Sequence, residues 1–479
     1  MKSNSVRKIQ PPRLRGSAMV FVLVISSVAA IVLSGLVTFV VSNVKYSLEA
    51  AKREEALQIA ESGAHFYRWY IAHKLDGKNT EQMNEFWQLS SPRPYGVDTP
   101  YEADFLGIGR YRIVVTPPAS HSTVFTLEST GWTYASPEAT RTVRVRLRRP
   151  SWSEYMILGN DTFRLSNRTE IFGPMHGNEG VRFDGVAHNS TSSGVTCYND
   201  PDTPGGGACE RPGVWSGEWP GSEPYNTLLS NPVFLGGRNF PIPKIDFNSV
   251  TADLAYMKSE AQTSGEAAHY YGPSGAGYRG YRIEFKPTGY EITKVKTVDD
   301  KDSVTRVDTP SRISRSFPSK GLIFVEDNVW FNGKGVAGVK VETERMTIAV
   351  ADLLGGSDPN IYIEDGAQYK NGGSGQEALG FIAEGSIGFP GDCQNTLTLH
   401  GALLAQKGAV QRAHYGSAYN KNKITIFGAI ASKGRIGFGY TDGTGFQNRE
   451  LLFDANLTVS PPPYFPTGTQ YSIDLWEEL

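Results

Sequence analysis

The first strong signal along the chain is an uninterrupted apolar run. Ser17 to Val44, SAMVFVLVISSVAAIVLSGLVTFVVSNV, is 28 residues without a charge, where a helix needs only about 20 to cross the hydrocarbon core of a bilayer. At 1.5 Å per residue the run spans roughly 42 Å, enough to cross with tilt or to project beyond the lipid. Polar residues then return at helical spacing. KYSLEAAKREEALQIAESGAHFYRWYIAHKL, Lys45 to Leu75, has no Pro and is rich in the best helix formers. Leu48, Ala51, Leu57, Ala60, Ala64, Tyr67 and Ile71 sketch an apolar stripe that a neighbouring sheet would cover. The pattern predicts one helix from Ser17 to about Leu75, half in lipid and half packed on a globular domain.

Beyond it the period changes. A Pro- and Gly-rich segment, SSPRPYGVDTPYEADF, reads as a loop. Three alternating runs follow at 109–116, 123–134 and 138–148, with short connections that suit an antiparallel meander. The last is close to ideal period two: Val143, Val145 and Leu147 share one face, Arg144, Arg146 and Arg148 the other. Such an Arg row is read as a solvated face, with an anionic-ligand patch as the alternative. From Pro150 onward short apolar runs alternate with Gly, Asn and Asp turns, as in GLIFVEDNVWFNGKG, TLTLHGALLAQKGAV and KITIFGAIASKGRIGFGY. Many short strands with little helix predict an all-β region, a solenoid by preference and a sandwich or barrel second. Gly and Ala in the last two runs leave room for stacked backbones. Residues 191–319 have fewer apolar runs and read as an insertion with one helix near SVTADLAYMKSEAQ.

The expected fold is therefore α+β: a long N-terminal helix on a small antiparallel sheet, followed by a large all-β domain. The expected parts are a leader at 1–16, the helix at 17–75, the sheet at 76–150, the β-rich domain at 151–190 and 320–479, and the insertion at 191–319.

Charge sharpens the N-terminal reading. The chain of 479 residues carries 47 Lys and Arg against 49 Asp and Glu, yet no acidic residue precedes Glu49. Lys2, Arg7, Lys8, Arg13 and Arg15 make a basic leader that should stay cytoplasmic and send everything after Lys45 across the membrane. An ordinary cleaved signal has an apolar region of about 7–15 residues, shorter than this one. The near-neutral total and the absence of a basic run elsewhere argue against nucleic acid as a partner. Gly (52) and Pro (28) exceed their average usage, which favours turn-rich β structure.

The arginine-rich leader ending in Gly, RLRGSAMVFVLV, with the apolar stretch and ALQIAESG behind it, resembles the N-terminus of type IV pilins and type II secretion pseudopilins. More narrowly, it is similar to the PilX-type minor pilins. The resemblance implies cleavage by a prepilin peptidase between Gly16 and Ser17, methylation of the new amino terminus, and assembly with other pilin subunits through the inner-membrane pilus machinery. It places the chain in the bacterial inner membrane as a single-pass protein and then in a periplasmic or extracellular filament. Removing the leader would leave 42 basic against 49 acidic side chains, a charge of −7. Major pilins carry a Glu at the fifth position after the cut; here that position is Phe21. A subunit without that carboxylate lacks the partner that offsets burial of a neighbour's amine, which implies a tip or initiation role over the shaft. The texture of GPMHGNEGVRFDG, FIAEGSIGF and FGAIASKG also resembles the region that PilX-type proteins carry after their pilin module.

The remaining chemistry is sparse. Outside the cytoplasm Cys197 and Cys209 would close a loop across TPGGGA, worth roughly 2–3 kcal/mol, with Cys393 free and buried. Adding His176 and His188 to those cysteines gives spacings that fit no compact zinc knuckle. The GxGxxG at Gly333, Gly335 and Gly338 runs into VKVETERMTI, which is strand-like, so turn glycines are the better account than a dinucleotide loop. Asp299, Asp300 and Asp302 lack the spacing of a calcium loop. No HExxH, Walker loop or GxSxG is present, so neither enzyme activity nor a cofactor is expected. Trp215 and Trp219, in RPGVWSGEWPGSEPYN, are candidates for adhesion if exposed, or plugs that pin the insertion if buried. The sequence reads as a minor pilin-like subunit displaying a β-rich domain. A permanently anchored envelope protein and a tethered hydrolase are the alternatives.

Overall fold

The computed structural model describes residues 17–78, 80–119, 122–202, 209–217, 233–247, 250–333, 340–341, 345–372, 377–468 and 470–479. The leader, Gly16 included, lies outside them, as do Trp219, Gly335 and Gly338.

Helix α1 runs unbroken from Ser17 to Leu75, 59 residues, or about 88 Å. Among the described residues, no other element covers its first half. Met19, Val20, Phe21 and the large apolar side chains that follow through Val44 are exposed. The buried stripe starts about two turns later than the sequence pattern implies: Leu48 and Ala51 are exposed, and the packed face is Ala56, Ile59, Ala60, Gly63, Ala64, Tyr67, Tyr70, Ile71 and Leu75. The reason is the reach of the sheet beneath, which ends below Ala56.

That sheet is antiparallel, in the order β1 (Tyr101–Phe105), β2 (Gly109–Thr116), β3 (Val124–Thr133), β4 (Ser136–Arg148) and a C-terminal strand, Ser472–Glu478. Strand β4 buries Val143, Val145 and Leu147 and turns its arginines outward. Glycines bring the helix against the sheet. A Cβ on Gly131 of β3 would run into the Ala56 carbonyl and the Ala60 nitrogen, and one on Gly63 of α1 into Ser129 Oγ. A short helix α2 (Thr80–Gln88) closes the end of this core with Met83, Phe86 and Trp87. Around Phe125 the rings of Tyr67, Trp87 and Tyr471 lie 4.8–5.9 Å away, so α1, α2, β3 and the C-terminal segment share one aromatic cluster.

Three features depart from the sequence expectation here. Strand β1 lies in the segment read as a loop, because its Tyr101, Ala103 and Phe105 are only half-buried and follow Pro and Gly. Helix α2 was not foreseen. The C-terminal strand, assigned to the β-rich domain by the 320–479 boundary, instead pairs antiparallel with β4 from Ser472↔Arg148 to Glu478↔Val143. The β-rich region is thus inserted between neighbouring strands of the first sheet. Its two crossings lie side by side: Ser151 bridges Thr467, and Trp152 N donates to Pro466 O (3.3 Å).

In the β-rich region two large sheets dominate, and between residues 280 and 432 their main ladders are parallel. In one sheet Leu322–Val325, Arg345–Val350, Ala378–Ala383, Thr396–Ala405 and Lys421–Ser432 are successive parallel neighbours. In the other, Gly280–Lys286, Val329–Asn332, Ile361–Asp365, Ile387–Gly388 and Val410–Gln411 do the same. The main core lies between them, with Phe285, Phe331 and Phe381 in edge-on contact at 4.8 Å. Small residues stack in register, Gly401 on Gly428 and Ala402 on Ala429. Helix α3 (Val250–Thr263) covers the outer face of the first sheet with Leu254, Met257 and Ala261 against Leu322, Phe324, Ile382 and Leu404. The 191–319 segment therefore supplies structure to the stack: Thr191–Ser193, His269–Tyr271 and Gly280–Lys286 are sheet strands. Its Gly- and Asp-rich turns hid short strands whose partners are remote in sequence.

Candidate functional site

The candidate site is a surface, the free half of α1 and the base that holds it. Ser17 opens the helix, and Phe21, one turn on, is 69% exposed. The helix is long and apolar enough to cross a membrane, and its most apolar stretch is not buried against any of the described residues. By contrast the half from Ala56 to Leu75 is pinned at two levels, by the glycine contacts at Gly63 and Gly131 and by the aromatic cluster. Burial raises the Tyr67 hydroxyl well above its ordinary range, so that ring is neutral at any physiological pH.

The arginine row on β4 is not a free patch. Arg144 bonds Glu128 Oε1 through Nε (2.9 Å) and Glu477 Oε1 through Nη1 (2.9 Å). Arg146 Nε meets Asp474 Oδ2 at 2.6 Å, Arg148 reaches Glu154 and Asp474, and Arg141 pairs with Glu478. The C-terminal strand thus lays three carboxylates along the arginines, and Trp476 reaches the His65 ring at 5.6 Å. These acidic partners were missed in the sequence; the alternation in SIDLWEE was their only signal.

At the junction with the β-rich region Arg149 is fully buried. Its Nη2 donates to Asn84 Oδ1 (2.9 Å), and its guanidinium lies 5.7 Å from the Tyr471 ring. One side chain therefore ties α2, the end of β4 and the returning C-terminal segment.

The remaining sequence candidates do not converge. Trp215 is buried, with its Nε1 donating to Tyr198 Oη (2.7 Å) and the Arg182 and Arg211 guanidinia 4.7 and 4.4 Å from its ring. It is a packed residue and offers no ring to an external ligand. Cys197 and Cys209 have Cα atoms 5.0 Å apart, inside the span of a disulfide. Cys393 is buried, and Arg412 Nη1 donates to its Sγ (3.0 Å). His176 bonds Ser192 and Asn178, whereas His188 pairs with Glu170. Asp299 accepts from the backbone N–H groups of Lys301 and Ser303, Asp300 pairs with Lys301, and Asp302 accepts from Tyr415 Oη (2.8 Å), so the acidic turn is spent on its own donors. Gly333 follows the Val329–Asn332 strand and packs against the Gly366 backbone. Among the described residues no group of three or more His, Cys, Asp or Glu is placed to hold a metal ion.

No family model matches the chain, and no curated protein matches it. Among solved structures it is similar to the competence-associated pilin ComZ from Thermus thermophilus. The match has 12% identity and a TM-score of 0.31, and it covers 89% of this chain and 98% of that one.

Proposed function

We propose that the chain is a minor pilin-like subunit of a type IV pilus or a related filament, displaying a β-rich domain. It is held in the bacterial inner membrane with its N-terminus cytoplasmic until a prepilin peptidase cuts between Gly16 and Ser17. The observation that carries this reading is α1, one helix with a wholly exposed apolar half and a second half pinned to an antiparallel sheet. Within lipid such a helix gains little from hydrophobic association. In an aqueous filament each Leu, Ile, Val or Phe buried against another subunit's helix contributes about 1.5–3 kcal/mol, so assembly favours extraction. Phe21, in place of a carboxylate, suits a subunit at the tip or in initiation, where no preceding amine needs a partner. Residues 17–75 are the assembly helix, and 76–150 with the C-terminal strand form its base. The remainder is a β-solenoid, a reading supported by two long ladders of parallel strands. A Cys197–Cys209 disulfide fits an exported location, and adhesion is a natural use for the displayed domain.

The test is the mature N-terminus. Mass spectrometry of the protein from its native membrane should find it beginning at N-methylated Ser17, and co-purification with a filament should follow. Retention of Met1 or Lys2 would mark a permanently anchored envelope protein instead.

A further inference from the structure

Between the corner Leu165–Thr169 and the loop Phe438–Phe446 lies a half-open cleft of about 300 Å³. Arg449 lines its floor and is buried, 7% exposed. Its Nε donates to Thr169 Oγ1 (2.9 Å), Nη2 to Ser166 Oγ (2.7 Å), and Nη1 to the Phe446 carbonyl. Every one of these acceptors is neutral. Arg168, exposed at the rim, has its carbonyl bonded by the Arg449 N–H and its Nη1 on Gln447 Oε1 (2.8 Å). Among the described residues no carboxylate forms an ion pair with either arginine.

The nearby acids are committed elsewhere. Asp184 is the carboxylate in the cleft lining, and it is held by Arg164 and Arg182 and by the Ser216 hydroxyl and Gly217 N–H. Asp442, on the loop, is held by His414 and by Thr444. Burial, and then the charge of Arg168, push Arg449 down to about 10. A buried guanidinium ordinarily needs a compensating anion, and among the described residues no carboxylate pairs with this one. The loop backbone runs close to that charge at Gly439, where a Cβ would crowd Arg449 Nη1. The volume is at the lower end of small-molecule pockets, more than a bare oxyanion fills. The other lining groups are hydroxyls and amides, Asn167, Thr441, Thr444 and Gln447, beside the rings of Tyr440 and Phe446.

We propose that this cleft binds an acidic saccharide, with the sugar carboxylate between Arg449 and Arg168 and the sugar hydroxyls on Asn167, Thr441 and Thr444. The proposal stands apart from the filament reading, because the cleft binds or fails to bind whether or not Gly16 is processed. The full chain in detergent is titrated calorimetrically at low salt with an oligogalacturonate, with a neutral galacto-oligosaccharide and with inorganic phosphate. Saturable binding of the uronate and none of the neutral sugar are expected. Arg168→Glu should weaken uronate binding at least about tenfold with unchanged thermal unfolding, because the side chain is exposed. Arg449→Met should abolish binding; if that variant fails to fold, Arg168→Glu alone decides. Absence of uronate binding, equal binding of the neutral sugar, an unchanged affinity in Arg168→Glu, or binding of phosphate without the uronate would each overturn the assignment.

Discussion

Replacing Gly131 tests whether α1 is seated on its sheet as described. Removing a glycine from a strand interior ordinarily favours the fold by roughly 0.5–1 kcal/mol. At this position the new Cβ would stand 3.0 Å from the Ile59 carbonyl carbon and closer still to Ala56 O and Ala60 N, where relaxed contacts lie at roughly 3.5–4.0 Å. All three are helix backbone atoms, so no rotamer change relieves the clash. The helix must lift by roughly 1 Å, which loosens Ile59, Ala60 and the Gly63–Ser129 contact together. Overpacking of this kind costs about 1–3 kcal/mol, leaving a net loss of about 1–2 kcal/mol for Gly131→Ala and more for Gly131→Val. In a module of about 100 residues that lowers the melting temperature by about 5–15 °C. Calorimetric unfolding of the full chain in detergent reads it, with the transition of the β-rich region as an internal reference. Gly35→Ala is the matched control, because nothing lies within 4 Å of that position. An unchanged or raised melting temperature for Gly131→Ala would refute the close approach and with it the rigid base under α1.

Three further outcomes rest on the same geometry. Reversing Asp474 and Glu477 to Lys sets like charges beside Arg144, Arg146 and Arg148; at about 0.2–1 kcal/mol per exposed pair, the base should lose about 1–2 kcal/mol at low salt, and a melt in high salt should recover part of it. Burial holds His400 down to about 4 against an ordinary 6.5, and its Nδ1 accepts from the Tyr369 N–H (3.1 Å). The unfolded chain therefore binds the extra proton between those values, so stability should fall as pH drops from 6.5 to about 4, with a flatter profile in His400→Gln denaturation series. Arg412 donates to the Phe389, Pro390 and Tyr419 carbonyls and to Cys393 Sγ; Arg412→Met strands those acceptors, and denaturant titration should register a loss above about 3 kcal/mol.

How far the sequence could be read depends on where each element finds its partner. Helix α1 and strands β2 to β4 were legible because their patterns are long, unbroken and local. An uncharged run of membrane length has few alternative fates, and period two in VRVRL forces one face inward whatever covers it. The acidic strand at the chain end carried too few buried residues to stand out, and its value lies in arginines more than 300 positions earlier. Trp215 illustrates the converse: its Gly- and Pro-rich context left an exposed adhesive ring and a buried plug both open, and Arg182 and Arg211, brought in by separate strands, cover it. The Arg449 cleft left no motif at all, since its charge excess exists only where the corner at 165–169 meets the loop at 438–446.

By itself, then, the amino-acid order determined the long N-terminal helix with its apolar half, the meander beneath it and the β texture of the remainder, because each follows from local periodicity. Only the tertiary structure decided that the chain end returns to β4, that the β-rich region is an insertion within the first sheet, and which arginines are neutralised and which are not. Those outcomes turn on pairing between remote segments, where burial and Coulomb energy depend on distances that no local pattern encodes.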